Sequence, residues 1–262
     1  MIKKEPEMKK AYLIKGLPDS EIAPEISEYI EKKFKIVRDP ASAKFLIVFG
    51  GDGTMLKNIR LYRELNLPFF GLNYGHVGFL LNAPTTATLD DLLHNRLTVI
   101  SSQMLQAVLY DKNGEKIGTE FAFNDFYFEK STLATAKIRV SVNSKVRFDP
   151  LICDGAIVAS AAGSTAYNAA AGGIILPIGD NSMVLTGICP AVFHRWRSIQ
   201  LDAESKIILE AMDFNKRPVR FLVDKMEIEN VVKAEIGYSD KTVRLLFANS
   251  QDFREKRLEF IF

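Results

Sequence analysis

The sequence predicts an α/β domain followed by an all-β domain of two packed sheets. Strand and helix patterns alternate over the first hundred residues, a hydrophobic period of two takes over after about residue 97, and glycine-rich turns stand where buried strands end. Strand–helix–strand alternation calls for a mostly parallel sheet, whereas half-buried antiparallel strands alternate apolar with polar residues. The expected division is residues 1–97 and 98–244, with a C-terminal segment of about 245–262 able to return to the first domain.

In chain order, "AYLI" (Ala11 to Ile14) reads as a strand. Ala23 to Phe34 reads as a helix, with Pro24 in its first turn and Ile26, Ile30 and Phe34 on one face. Lys44 to Phe49 is a continuous apolar strand, Thr54 to Leu65 a helix with Leu56, Ile59 and Leu65 inward, and Pro68 to Leu72 another strand. "MLQAVLYDKNGEKIGTEFAFNDFYFEK" then carries Asn113-Gly114, a hairpin signal, and "KIRVSVNSKVRFD" alternates Ile138, Val140 and Val142 with Arg139, Ser141 and Asn143. "SIQL", "KIILEAM", "VRFLVD", "EIENVVKAEI" and "TVRLLFA" continue as strands, as in a sandwich of two sheets. A single helix, near Ser164 to Ala171, interrupts them.

Composition bounds the function. The chain has 262 residues, 47% hydrophobic and 25% charged, enough for two core-bearing domains. A net charge of +2 gives no global field for nucleic acid or an anionic membrane. No window approaches the ~18 apolar residues of a membrane span, and "MIKKEPEMKK" lacks an apolar export core. Cys153 and Cys189 stand alone and His76, His94 and His194 have no metal-ligand spacing, so a reduced, cytoplasmic protein without its own metal cage is expected. "HRWR" at 194–197 reads as a solvated or subunit-contact face.

Four stretches carry chemistry. In "KFLIVFGGDGTMLKNIR" a buried strand runs into Gly50-Gly51-Asp52-Gly53-Thr54 and a helix follows at once. Glycines there permit positive φ and close approach of a ligand, and free N–H groups at a helix start attract phosphate. A carboxylate in that cradle repels phosphate, so Asp52 either caps the helix, a role worth ~1 kcal/mol, or acts at the reacting end of a substrate. "GLNYGHVGFLLN" sets Gly71, Gly75 and Gly78 around a second polar turn, at the sheet edge where open α/β folds bind ligands. "FNDFYF" places Asn124-Asp125 inside an aromatic strand, either to read sugar hydroxyls or to form a bulge. In "CDGAIVASAAGSTAYNAAAGG", Ser164 reads as the N-cap of a short helix of small residues ending at Gly172-Gly173. Its large residue, Tyr167, either faces a flat base or is ordinary core.

Taken jointly and in this order over nearly the whole chain, "GGDGT", "NYGHVGFL", "ND", "DG" and "GSTAYNAAAGG" resemble the NAD kinase family. "GGDGT" alone is shared with diacylglycerol and sphingosine kinases and, more loosely, with phosphofructokinase; the later motifs are not similar to theirs. The resemblance implies a phosphofructokinase- or diacylglycerol-kinase-like α/β nucleotide domain, a β-sandwich that holds NAD at the domain interface, and a homodimer or homotetramer. It implies transfer of the γ-phosphoryl of ATP, or of polyphosphate, to the 2′-hydroxyl of NAD's adenosine ribose, giving NADP. On the same basis Asp52 accepts the hydroxyl proton, with Gly53 beside it at NAD. Asn124 and Asp125 meet the adenosine ribose, Asp154 lies toward the nicotinamide end, and Thr165, Ala166 and Tyr167 line the adenine pocket, with Asn168, Ala169 and Ala170 as further cofactor-binding residues.

Three departures from the family pattern stand out. Ser160-Ala161-Ala162 replaces Thr-Pro-Thr, removing a proline and a hydroxyl; Ile152 replaces a basic residue; and Val223-Asp224-Lys225 replaces Val-Asp-Gly, which predicts a different turn. An aspartate with an ordinary pKa of about 3.9 is a weak base, but in a loose phosphoryl-transfer transition state it can orient the hydroxyl and take its proton late. Mg²⁺ is expected to arrive with ATP and offset phosphate charge beside Asp52. A lipid kinase and a non-catalytic dinucleotide-binding regulator are the competing readings.

Overall fold

A computed structural model of the chain describes residues 8–76, 78–191 and 198–250. The "HRWR" stretch at 194–197, residue 77 and the segment 251–262 lie outside the described residues. The described chain forms two units: one from residues up to Ser101 together with those from Val243 onward, the other from Ser102–Thr242.

The first unit begins with β1 (Lys9–Lys15), α1 (Pro24–Lys33), β2 (Phe34–Ile36), β3 (Phe45–Gly50), α2 (Asp52–Tyr62), β4 (Phe69–Asn73) and α3 (Thr86–Leu93). Its strands are parallel in the order β2-β1-β3-β4. All six residues of β3 are buried, as an apolar run covered on both faces must be. Pro24 occupies the first turn of α1, where its missing N–H costs nothing, and Ile26 and Ile30 pack with Phe34, Phe45 and Phe70 in one core. α2 starts two residues before the pattern predicts, because Asp52 and Gly53 already take helical geometry behind Gly51. It ends at Tyr62; a 3₁₀ turn over Arg63–Leu65 and a left-handed Asn66 (φ 49) leave Leu65 half-buried instead of in the core. The sequence reading missed α3, which Thr85 caps by accepting from Thr88 N (3.2 Å) while Leu89 and Leu92 are fully buried.

The second unit is all β apart from one short helical stretch. It takes in most of β5 (Leu97–Tyr110), then β6 (Lys116–Ala122), β7 (Asp125–Lys130), β8 (Ala136–Val142), β9 (Lys145–Cys153), β10 (Gly155–Ala159), α4 (Tyr167–Ala170), β11 (Met183–Ile188), β12 (Ser198–Leu201), β13 (Ile207–Ala211), β14 (Val219–Val223), β15 (Met226–Ile228) and the first part of β16 (Lys233–Ala248). One antiparallel sheet runs β12-β11-β10-β7-β14-β15. Its Phe126, Phe128 and Phe221 meet Ile138, Val140, Leu209 and Ile236 of the facing strands β8, β13 and β16 in a single core, with Phe128 and Phe221 tilted 4.9 Å apart. This is the predicted sandwich.

Two expectations need correction. "EIENVVKAEI" and "TVRLLFA" are not two strands: Met226–Ile228 ends early, and everything from Lys233 to Ala248 is one strand of 16 residues, running on through Gly237. Beyond Thr242 its far end returns to the first unit, where Leu245 pairs in parallel with Phe69 of β4. The helix expected over Ser164 to Ala171 is a 3₁₀ turn at Ala162–Thr165 followed by the four residues of α4. After Val223, Asp224 (φ 47) and Lys225 (φ 72) form a two-residue left-handed loop between β14 and β15. Among the described residues no helix is long and apolar enough to cross a membrane.

Candidate active site

In the first unit the two glycine-rich turns interlock. Gly50 sits at φ 151, and a side chain there would also strike Thr54, whose Oγ1 would lie 2.6 Å from an added Cβ. Tyr74 N donates to Gly50 O (3.0 Å), and Gly51 and Gly75 approach so closely that a Cβ on Gly75 would stand 3.4 Å from Gly51 Cα. Asp52 is not the helix cap; that position is Gly51, with no side-chain cap bond. The Asp52 carboxylate instead reaches the second turn, where Oδ2 accepts from Phe79 N and Oδ1 from Leu80 N, each at 3.0 Å. A carboxylate held by two main-chain donors at the start of a helix is well fixed. Gly53 is exposed, and an added Cβ would meet nothing within 4 Å.

The second turn is itself anchored. Asn82 is fully buried; its Nδ2 donates to Gly71 O and Leu246 O (3.0 Å each), and its Oδ1 accepts from Ala248 N (2.9 Å). Sequence reasoning did not single out Asn82, because its partners are remote in the chain.

In the second unit Asn124 and Asp125 lie at the start of β7, both buried, between the fully buried rings of Phe123 and Phe126. Asn124 Oδ1 is buried with no hydrogen-bond partner. Such an orphan is expensive in a finished core, and it fits a side chain waiting for a ligand donor. Burial, and next the nearby Asp224 carboxylate, push the Asp125 carboxyl up to about 8, with Lys225 opposing. Asp224 accepts from three successive backbone donors: Phe123 N to Oδ2 (2.8 Å), and Asn124 N (2.8 Å) and Asp125 N (3.2 Å) to Oδ1.

The loop after β10 packs on the same strand end. A Cβ on Gly163 would fall 2.2 Å from Asn124 O, so only glycine fits. Ser160 Oγ donates to Phe123 O (2.6 Å) and accepts from Gly163 N (3.1 Å), holding the loop entry in a stretch where Ala161 and Ala162 are simply buried. Ser164 is no N-cap: its hydroxyl donates to Ala161 O (2.7 Å) and accepts from Leu176 N (2.9 Å). Gly172 and Gly173 close α4 as the sequence suggests, Gly172 at φ 79 donating to Ala169 O and Gly173 to Asn168 O. The Asn168 side chain is bonded internally, its Nδ2 donating to Ser164 O and Ile174 O and its Oδ1 accepting from the Thr186 hydroxyl.

The remaining candidates spread along this face of the loop. Thr165, Ala166 and Ala169 are half-buried and Ala170 is exposed. Tyr167 packs edge-on against Tyr127 (5.0 Å, 75°) and donates to Glu129 Oε1 (3.3 Å); burial first, then the Glu129 charge, raise its phenol to about 12. Asp154 pairs with Lys130, the last residue of β7, at 2.7 Å. Among the described residues no group of three or more His, Cys, Asp or Glu is placed to hold a metal.

Residues 5–98 match the ATP-NAD kinase N-terminal domain and residues 124–240 the ATP-NAD kinase C-terminal domain. The NAD kinase of Rickettsia canadensis (strain McKiel) is 36% identical over 233 residues, 88% of this chain and 90% of that one. That of Rickettsia rickettsii (strain Sheila Smith) is 39% identical over 215 residues, 82% and 84% of the two chains. In fold, the chain is similar to an NAD kinase from Archaeoglobus fulgidus in complex with ATP (TM-score 0.75, 21% identity, covering 96% of this chain and 98% of that one). It is also similar to yeast NADH kinase complexed with NADH (TM-score 0.78, 18% identity, 98% and 88%).

Proposed function

The chain belongs to the NAD kinase family and phosphorylates NAD to NADP with ATP, and from that premise we propose that Asp52 orients the 2′-hydroxyl of the adenosine ribose and accepts its proton as the γ-phosphoryl of ATP is transferred. The lipid-kinase and non-catalytic readings fall away with this membership. The observation that carries the assignment is the carboxylate's anchorage, two N–H bonds from Phe79 and Leu80 at the N-terminus of α2. An acceptor in a loose transition state needs position more than basicity, because the nucleophile's proton leaves late. Two main-chain donors supply that position, and a charge-assisted bond from the hydroxyl to the carboxylate completes the alignment.

Gly51 and Gly53 leave the main chain at the start of α2 open to phosphate oxygens, whose charge the helix end favours. Mg²⁺ enters with ATP as part of the substrate and offsets phosphate charge beside Asp52. Asn124 and Asp125 contact the adenosine ribose, and Thr165, Ala166 and Tyr167 border the adenine, with main-chain atoms of Asn168, Ala169 and Ala170 beyond. Asp154, paired with Lys130, lies toward the nicotinamide end. The orphaned Asn124 Oδ1 supports the sugar contact, since a ribose hydroxyl would give it the donor it lacks.

Asp52→Asn tests the acceptor role. The amide keeps the size of the side chain but loses its charge, so NAD binding should stay within about threefold while kcat falls by about 10² or more. Direct NAD titration and initial-rate measurement of NADP separate the two quantities. Near-normal kcat in this variant overturns the assignment.

A further inference from the structure

Two neighbouring side chains proposed to meet NAD belong to Asn124, just before β7, and Asp125, which begins β7 opposite Ala159 of β10. Their main chain is held from outside the strand. The two-residue turn between β14 and β15 carries Asp224 in a left-handed conformation (φ 47), which points its carboxylate at three consecutive N–H groups, Phe123, Asn124 and Asp125. Asp224 N returns a bond to Asp125 O (3.2 Å). From the other side, Gly163 presses on the main chain of Asn124 and Ser160 N donates to Asn124 O (2.8 Å). The peptide is thus clamped between a charged acceptor and a glycine contact, and the side-chain oxygen it presents, Asn124 Oδ1, is buried without a partner.

We infer that Asp224 is a positioning residue for NAD recognition, its carboxylate fixing the Phe123-Asn124-Asp125 main chain so that the Asn124 and Asp125 side chains are presented to the dinucleotide. The inference rests on the reading that those two side chains contact NAD. A carboxylate accepting three N–H bonds holds a peptide more firmly than neutral acceptors do, because bonds to an ionised acceptor are about twice as strong. The same charge acts on the neighbour. Asp125 faces Asp224 and Lys225 on the turn and Tyr127 along its own strand, and burial together with the Asp224 charge keeps its carboxyl protonated up to about pH 8. A neutral carboxyl can donate a hydrogen bond to the nucleotide and adds no negative charge where an anionic dinucleotide must sit.

Initial-rate kinetics of the full chain at saturating magnesium-ATP test this. Asp224→Asn should raise KM for NAD about tenfold or more while kcat and KM for ATP stay within about threefold, since bonds to a charged group are worth more than neutral ones. Above about 8 the wild-type KM for NAD should climb as Asp125 ionises, and Asp224→Asn should move that inflection to lower pH by removing the adjacent charge. An unchanged KM and inflection, or equal losses toward both substrates, overturns the inference. Asn124→Ala separates the layers: if it leaves KM for NAD unmoved, the NAD-contact reading itself fails, whereas a raised KM there with no effect of Asp224→Asn defeats the positioning role alone. Should Asp224→Asn not fold, the decision passes to wild type and Asp125→Asn. An inflection near 8 in the first that vanishes in the second supports the inference, and a flat wild-type profile sinks it.

Discussion

At Gly53 the chain forgoes a side chain inside the first turn of α2, where alanine would favour the helix and where nothing in the protein stands in the way of a Cβ. The protein's own packing does not demand that glycine, and under the proposed function it lies where NAD approaches. Gly53→Ala should therefore raise stability slightly, by about 0.5 kcal/mol with Tm up roughly 1–2 °C, while kcat/KM drops about tenfold or more. Thermal melts paired with NADP formation read both effects, and wild-type turnover would refute the close approach. Gly50 is the contrast: its φ of 151 and the Thr54 side chain above it make the same substitution structurally intolerable. The sequence announces both glycines alike, and only the surroundings tell them apart. Asp224 shows the reverse, since its significance comes from donors about a hundred positions earlier, and no local pattern reveals them.

Among elements, those with an uninterrupted period were legible. β3 reads as an apolar run and proves buried throughout, and β8 alternates buried Ile138, Val140 and Val142 as its spelling suggests. Elements were misread where local chemistry masks the period. β16 contains Gly237 and the polar run Ser239-Asp240-Lys241, which looks like a turn yet stays extended, with Ser239 Oγ donating to Met104 O and Ile236 lying beside Ile207. Tertiary pairing overrides local propensity there. The β14–β15 hairpin carries its own test. Lys225 holds φ 72 on an exposed corner, a region costing a side-chain-bearing residue about 1–2 kcal/mol against a smaller entropic penalty for glycine. Lys225→Gly should stabilise the protein by about 0.5–1 kcal/mol, a Tm rise of roughly 1–4 °C. A lowered Tm would mean that the lysine contributes more through its surroundings than its backbone strain takes away.

For the molecule as a whole, the first unit is assembled from two stretches of chain, and Asn82 is where they are stitched. Its amide joins Gly71 to Leu246 and receives Ala248, a partner 166 positions away. Asn82→Ala strands Leu246 O and Ala248 N in a buried site, so we expect a loss of about 3 kcal/mol and a Tm lower by roughly 6–12 °C, measurable by calorimetry. A change under about 1 kcal/mol would show that water replaces the amide. The change from an α/β half to an all-β half and the motif order could be read from the sequence, because period and glycine placement are local. The stitch could not, because it joins residues that only the finished topology makes neighbours.

That stitch also sets an order of events in biosynthesis. A nascent chain can make β1 to β4 early, but the strand that pairs Leu245 with Phe69 emerges only after the whole sandwich has been translated. The glycine turns around Asp52 thus wait, with one flank of their sheet uncovered, while the later sandwich gathers its own core. A ribosome that pauses before Val243 would hold a molecule whose second unit has all of its residues and whose first does not.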